Sequence, residues 1–320
     1  MKYRTCTTRG RRGPRGWLAV VGIVGALAPT LTVSPAAATY EGNNGRIAFG
    51  GIDANDRRQA NIFSTRPGEV DLHQLTDAPG RDICPAYSPD GKHIAFCSDR
   101  TGAFEIWVMD ANGKHERQVT ALGNSSTFPD FSPDGRMLAF SSGSAGGRTD
   151  LWMVPTDGGT PIQVTDTPGA FEENPAWSPD GTTIVFVRIA GDFSGGQLWT
   201  RDVATGQETQ LTFDPTFKDQ TPDWSPDGTR IAYAADDDIW IMNADGSEQE
   251  NLTKTPDAEF GTAFSPDGTH IAFVGSGGPV PAGRRYVQTM HTDGSGRQIV
   301  MATPGLNQAV PGWQPLGSGR

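Results

Sequence analysis

Five times along the 320-residue chain the tetrapeptide Ser-Pro-Asp-Gly separates two short apolar stretches, at 88–91, 132–135, 178–181, 225–228 and 265–268. A motif repeated at this spacing restricts the chain to architectures built from one supersecondary unit. The copy around Pro175–Phe186 shows what the unit is: Trp177 falls on one face of a first strand, and Ile184 and Phe186 share a face of a second. Between them proline presets its own φ, aspartate bonds nearby amides, and glycine takes the left-handed conformation that closes a bulged hairpin.

With the turn glycine as marker, and Asn44 in the first copy because asparagine tolerates the same conformation, the marks fall at 44, 91, 135, 181, 228 and 268. After each hairpin a third strand is expected around Ile62-Phe63, Ile106-Trp107, Leu151-Trp152, Leu198-Trp199 and Ile239-Trp240. A fourth closes on Leu75-Thr76, Val119-Thr120, Val164-Thr165, Leu211-Thr212 and Leu252-Thr253. Four short antiparallel strands per 40 to 47 residues is the period of a propeller blade. The first repeat lacks its innermost strand, whereas Pro311-Gly312-Trp313 near the C-terminus supplies one to spare. The expected fold is therefore an all-β, six-bladed β-propeller of four-stranded antiparallel blades, its ring closed by a C-terminal strand that completes the first blade.

Residues 1–38 carry six basic residues and no acid, then an apolar run from Trp17 to Ala28 and the small-residue site Ala36-Ala37-Ala38. They read as a secretory signal peptide, with residues 39–320 forming a single propeller domain and no membrane span remaining after cleavage. Removing the leader's six positive charges takes the formal net charge from −11 to −17. Such a chain repels nucleic acid and anionic membrane surfaces, and is expected outside the cytoplasm, periplasmic or secreted, as a monomer.

The pattern P-x-W-S-P-D-G-x-x-I-A-F, followed by D/E-I-W, D-G and L-T, resembles the WD-like propeller repeats of the TolB family over residues 43–317. That resemblance implies the propeller fold and, since TolB is the periplasmic component of an envelope system and receives a lipoprotein on its propeller, a protein-binding role. It does not extend to TolB's α/β domain, which is not expected here because only Thr39–Gly42 stand between the leader and the first repeat.

Candidate chemistry is sparse. Aromatic residues recurring in every blade, such as Trp177, Trp224 and Trp313, read as packing between blades rather than a ligand platform. The histidines lack metal spacing, no Gly-x-Ser-x-Gly elbow occurs, and Asp236-Asp237-Asp238 lacks the spacing of a calcium loop, so no cofactor, metal or catalytic residue is expected. One slot stands out. Three residues before the innermost-strand proline position lie Asp82, Ser126, Glu172, Asp219, Glu259 and Gln308. Sixfold arrangement would set the four carboxylates around a channel mouth, to attract a cationic group of a partner. Phe171, Phe217 and Phe260 recur beside them as apolar anchors for a peptide. If Tyr87 opposes Ile94, the same register opposes Cys84 to Cys97, and a disulfide is expected between them. The resulting expectation is a scaffolding or binding propeller engaging a protein or peptide of the cell envelope at this face. The alternatives are a propeller enzyme (a metal-assisted hydrolase, lactonase or lyase) and a cell-wall carbohydrate binder.

Overall fold

The computed structural model describes residues 42–53, 56, 58–143, 147–192, 195–214, 220–276, 284–303 and 305–317. All of them belong to one compact unit, Ser34–Arg320. The leader, Phe217 and Asp219 lie outside the described residues.

The described residues form six four-stranded antiparallel sheets. Blade 1 contains β1 (Asn43–Asp53), β2 (Ala60–Thr65) and β3 (His73–Gln74), and blade 2 contains β4 (Asp82–Tyr87), β5 (His93–Ser98), β6 (Glu105–Asp110) and β7 (Arg117–Gln118). Blade 3 is β8 (Thr127–Phe131), β9 (Met137–Gly143), β10 (Thr149–Pro155) and β11 (Ile162–Gln163). Blade 4 is β12 (Ala170–Trp177), β13 (Thr183–Ala190), β14 (Gly196–Asp202) and β15 (Glu208–Gln210). Blade 5 is β16 (Gln220–Trp224), β17 (Arg230–Ala235), β18 (Asp238–Asn243) and β19 (Glu250–Asn251). Blade 6 is β20 (Glu259–Phe264), β21 (His270–Gly275), β22 (Tyr286–His291) and β23 (Gln298–Ile299), and β24 (Leu306–Leu316) returns to pair with β1 as the innermost strand of blade 1. Its register sets Trp313 opposite Ile47, so the ring closes as the repeat count requires.

The Ser-Pro-Asp-Gly turns hold by the chemistry read from them. In the first intact copy the Ser88 hydroxyl donates to Asp90 at 2.7 Å, the Gly91 amide donates to the Ser88 carbonyl at 2.8 Å, and Gly91 has a φ of 67°. Only glycine fits there on two counts, because a Cβ would also lie 2.1 Å from the Pro315 carbonyl oxygen of the closing strand. At the outer edge, the threonine of each Leu-Thr or Val-Thr pair accepts an amide near the start of the third strand. Ile62, Ile106, Leu151, Leu198 and Ile239 donate to Thr76, Thr120, Thr165, Thr212 and Thr253 at 2.8–3.0 Å. In blade 6 the equivalent donor, Val287, is taken by the side-chain amide oxygen of Gln308 at 2.5 Å.

The core is the set of interfaces between blades. Phe49, Phe96, Phe140, Phe186, Tyr233 and Phe273 occupy one slot of the second strand of each hairpin and are fully buried. Burying apolar area of this kind in every repeat stabilises the ring by about 25 cal/mol per Å².

Candidate functional site

Each innermost strand carries a bulge just before it reaches the channel. The register slips between Ile83 and Ala86, Thr127 and Asp130, Glu173 and Ala176, Gln220 and Asp223, and Phe260 and Ala263. In these five strands the residue at the bend is left-handed: Cys84, Phe128, Asn174 and Thr221 have φ of 55°, 52°, 54° and 45°, and Gly261 has 70°, whereas β24 slips at Val310 without a positive φ. Four of these five are not glycine, and each such conformation costs roughly 1–2 kcal/mol. The bend turns the residues that follow toward the axis, where they line a narrow cavity of about 110 Å³ with contributions from all six innermost strands.

Two aspartates in that lining, Asp130 and Asp223, occupy the slot held by alanine or glycine in the other blades. Each reaches the next blade: Trp177 donates its amide to Asp130 at 2.7 Å, and Phe264 donates to Asp223 at 2.6 Å. Burial pushes the Asp223 carboxyl up to about 7, the charge of Asp130 adds to the rise, and the amides of Phe264 and Trp224 oppose it. Sequence reasoning passed over both residues, although the middle position of each Pro-x-aromatic triplet displays them.

The expected carboxylates sit elsewhere. Asp82, Glu172 and Glu259 are buried, and each meets an arginine of its own blade rather than other carboxylates. Arg100 bonds Asp82 at 2.8 Å and also pairs with Glu116. Arg188 donates to Glu172 at 2.7 Å and to Glu208 at 2.7 Å. Arg297 pairs with Glu259 at 2.5 Å. The three guanidinium groups lie over aromatic rings of the blade, Arg100 at 4.6 Å from the Trp107 centroid, Arg188 at 4.5 Å from Trp199 and Arg297 at 5.2 Å from Phe273. Ser126 bonds Ser142 and Glu105, and Gln308 bonds Val287, Met301 and Thr303. The slot is a recurring internal polar bond, and it presents no open ring of charge among the described residues.

Of the three phenylalanines, Phe260 lines a cavity of about 460 Å³ at the strand-entry end of the channel, with Phe128, Ile189, Val310, Glu173, Asn174 and Gln220 around it. Arg285 lies 5.0 Å from the Phe260 ring centroid. Phe171 pairs with Ile189 across blade 4 and is not part of this lining. The expected disulfide is also corrected. Tyr87 does oppose Ile94, but the bulge at Cys84 brings Ile83 opposite Cys97, and both cysteines are free thiols. Burial pushes the Cys97 thiol well above the ordinary range, and Cys84 beside it pushes it further. Among the described residues no group of three or more His, Cys, Asp or Glu side chains could hold a metal ion.

Fold and channel together define a six-bladed propeller with a strained, bulged inner wall. The TolB beta propeller domain family model matches residues 58–239, more than half of the chain, and the chain belongs to that family. It is 29% identical to an uncharacterised protein of Agrobacterium fabrum over 128 residues, 36% of this chain and 42% of that one. It is likewise 29% identical to the TolB homologue of Chlorobium luteolum over 144 residues, 45% of this chain and 32% of that one. The aligned part thus spans less than half the length of these relatives. The crystal structure of TolB from Acinetobacter baumannii superposes with a TM-score of 0.70 at 22% identity, covering 87% of this chain and 67% of that one, a likeness of fold.

Proposed function

We propose that this chain is an extracytoplasmic protein- or peptide-binding propeller that receives its partner at the strand-entry mouth of the channel. The observation that carries the reading is the mouth cavity itself, where Phe260, Phe128, Ile189 and Val310 offer apolar anchorage and Glu173, Asn174 and Gln220 offer hydrogen bonds. A few aromatic anchors ringed by polar groups are what a peptide hot spot requires. The strained backbone of Phe128, Asn174 and Thr221 holds these side chains in place before a partner arrives, which lowers the ordering cost of binding. The basic-then-apolar leader supports export, and the acidic charge of the remainder suits a partner with cationic groups.

The test is selection of peptides from a displayed library on the immobilised protein, followed by titration of the selected peptides in solution. Phe260→Ala and Ile189→Asp should each weaken binding by about tenfold or more. Peptides that bind both variants as tightly as the original protein would place recognition elsewhere.

A further inference from the structure

The six blade junctions are not alike. In blades 2, 3, 5 and 6 the outer turn between third and fourth strands carries a glycine whose amide donates back three residues, Gly113 to Asp110, Gly158 to Pro155, Gly246 to Asn243 and Gly294 to His291. Those of blades 2, 5 and 6 seat the turn against the preceding blade, since a Cβ there would lie 2.6, 2.8 and 2.7 Å from the carbonyl oxygens of Leu75, Leu211 and Leu252, whereas a Cβ on Gly158 of blade 3 would meet nothing within 4 Å. In blade 1 the same turn position is held by Glu69, which donates to Arg66. A residue with a Cβ cannot approach that closely, so this turn stands off from blade 6. What it leaves is a cleft of about 230 Å³ at the seam where the ring closes, at the opposite ends of the strands from the channel mouth.

Two buried polar groups in the lining of this cleft have no partner among the described residues: the Thr289 hydroxyl and the Trp313 indole N–H, on residues 1% and 7% exposed. Thr289 shares a strand face with Val287, which packs against Ile47, Phe49 and Trp313 of blade 1, so both groups lie at the top of the same interface. An orphan indole N–H also occurs at Trp177 and Trp224. What is particular to this seam is the unpartnered hydroxyl beside it: blade 3 places Met153 in the Thr289 position next to Trp177, and next to Trp224 blade 4 places Thr200, whose hydroxyl donates to the Thr209 carbonyl at 3.4 Å. A buried donor or acceptor left unsatisfied loses its hydration without return, and a ligand that supplies the missing bonds recovers it. The His270 ring adds an apolar wall, 6.4 Å from the Trp313 ring. Burial, and then His291, lowers the His270 pKa, so that wall is neutral at pH 7. At the rim Arg66 and Glu69 form an ion pair at 3.5 Å, which offers both a donor and an acceptor with no net charge, and Gln298 offers both again.

From this lining we infer that the seam cleft binds a single neutral sugar ring. Interleaved donors and acceptors match a polyhydroxylated ligand, the flat indole and imidazole faces match its apolar side, and the volume admits one ring. The site stands apart from the channel mouth, and its test is independent of that reading. Glucose, galactose, mannose and N-acetylglucosamine are titrated separately into the purified protein, with binding followed by calorimetry and by saturation-transfer NMR. At least one should bind saturably, with a dissociation constant of roughly millimolar order for so small a ligand. Thr289→Val should weaken it at least tenfold while raising the melting temperature of the free protein by about 1–3 °C, because the orphan hydroxyl is gone. Gln298→Ala should weaken binding with no change in melting temperature, and Phe260→Ala should leave it intact. Absence of saturable binding by all four sugars, binding that survives Thr289→Val, or displacement of the sugar by inorganic phosphate would each overturn the assignment.

Discussion

Replacing Glu259 by alanine should destabilise the propeller far more than the same change at Glu172, although the two carboxylates share a repeat slot and are equally buried. The difference lies in what remains for the arginine. Arg188, 13% exposed, keeps a second carboxylate, Glu208 at 2.7 Å, after Glu172 is lost. Arg297, 22% exposed, keeps among the described residues only the neutral amide oxygen of Gln288, at 2.7 Å. An uncompensated buried charge costs about 3–5 kcal/mol, whereas a charge that retains one partner loses a hydrogen bond and part of its field, about 1–3 kcal/mol. At ~2–4 °C per kcal/mol for a domain of this size, Glu259→Ala should lower the melting temperature by roughly 6–20 °C. Scanning calorimetry supplies that shift, and urea unfolding followed by tryptophan fluorescence and by circular dichroism checks that the transition is cooperative. A double variant, Glu259→Met with Arg297→Met, should recover most of the loss, since an apolar pair of similar volume costs little where an ion pair was buried. If Glu259→Ala proves no more costly than Glu172→Ala, or the double variant is as unstable as the single one, the account of these pairs as neutralised internal bonds is wrong.

Asp223 gives a pH test. Its folded-state pKa of about 7 exceeds the ~4 of an unfolded aspartate, so the native state holds the extra proton and stability falls as pH rises from about 4 to 7. Asp223→Asn should therefore gain on the original protein by up to about 4 kcal/mol between pH 4 and pH 8, and a pH-independent difference in denaturation midpoint would refute it. Cys97 should resist iodoacetamide at pH 8 in the native, reduced protein and react only on unfolding, as mass spectrometry of the alkylated peptides would show, because its thiolate is disfavoured by burial and by Cys84. Gly91→Ala should cost well over twice as much as Gly135→Ala in chemical denaturation. The two turns share a φ near 70°, but a Cβ at Gly135 meets nothing nearer than 3.8 Å, whereas at Gly91 it meets the closing strand. Equal costs would mean that left-handed strain alone accounts for both.

The turns, the outer-strand threonines and the closure were legible because each is local or repeats at a fixed spacing. The polar slot of Asp82, Glu172 and Glu259 was legible as a recurrence but not as a contact. Its arginine partners come from just after β5, from β13 and from just before β23, so no common spacing announces them. The bulges hid for a related reason. Gly261 and, more weakly, Asn174 suit a left-handed slot, while Cys84, Phe128 and Thr221 take that conformation under tertiary constraint and against their own preference. One unanticipated residue in β4 was enough to take Cys84 out of register with Cys97.

The pairing of β24 with β1 also sets the order of events during synthesis. Trp313 meets Ile47 across 266 residues, so blade 1 must wait, with the inner edge of β1 unpaired, until β24 has left the ribosome. Blades 2 to 6 are each built from consecutive strands and can form as they emerge. The pairing with the largest loop to close, and the one that leaves a sheet edge open longest, is therefore that of β24 with β1.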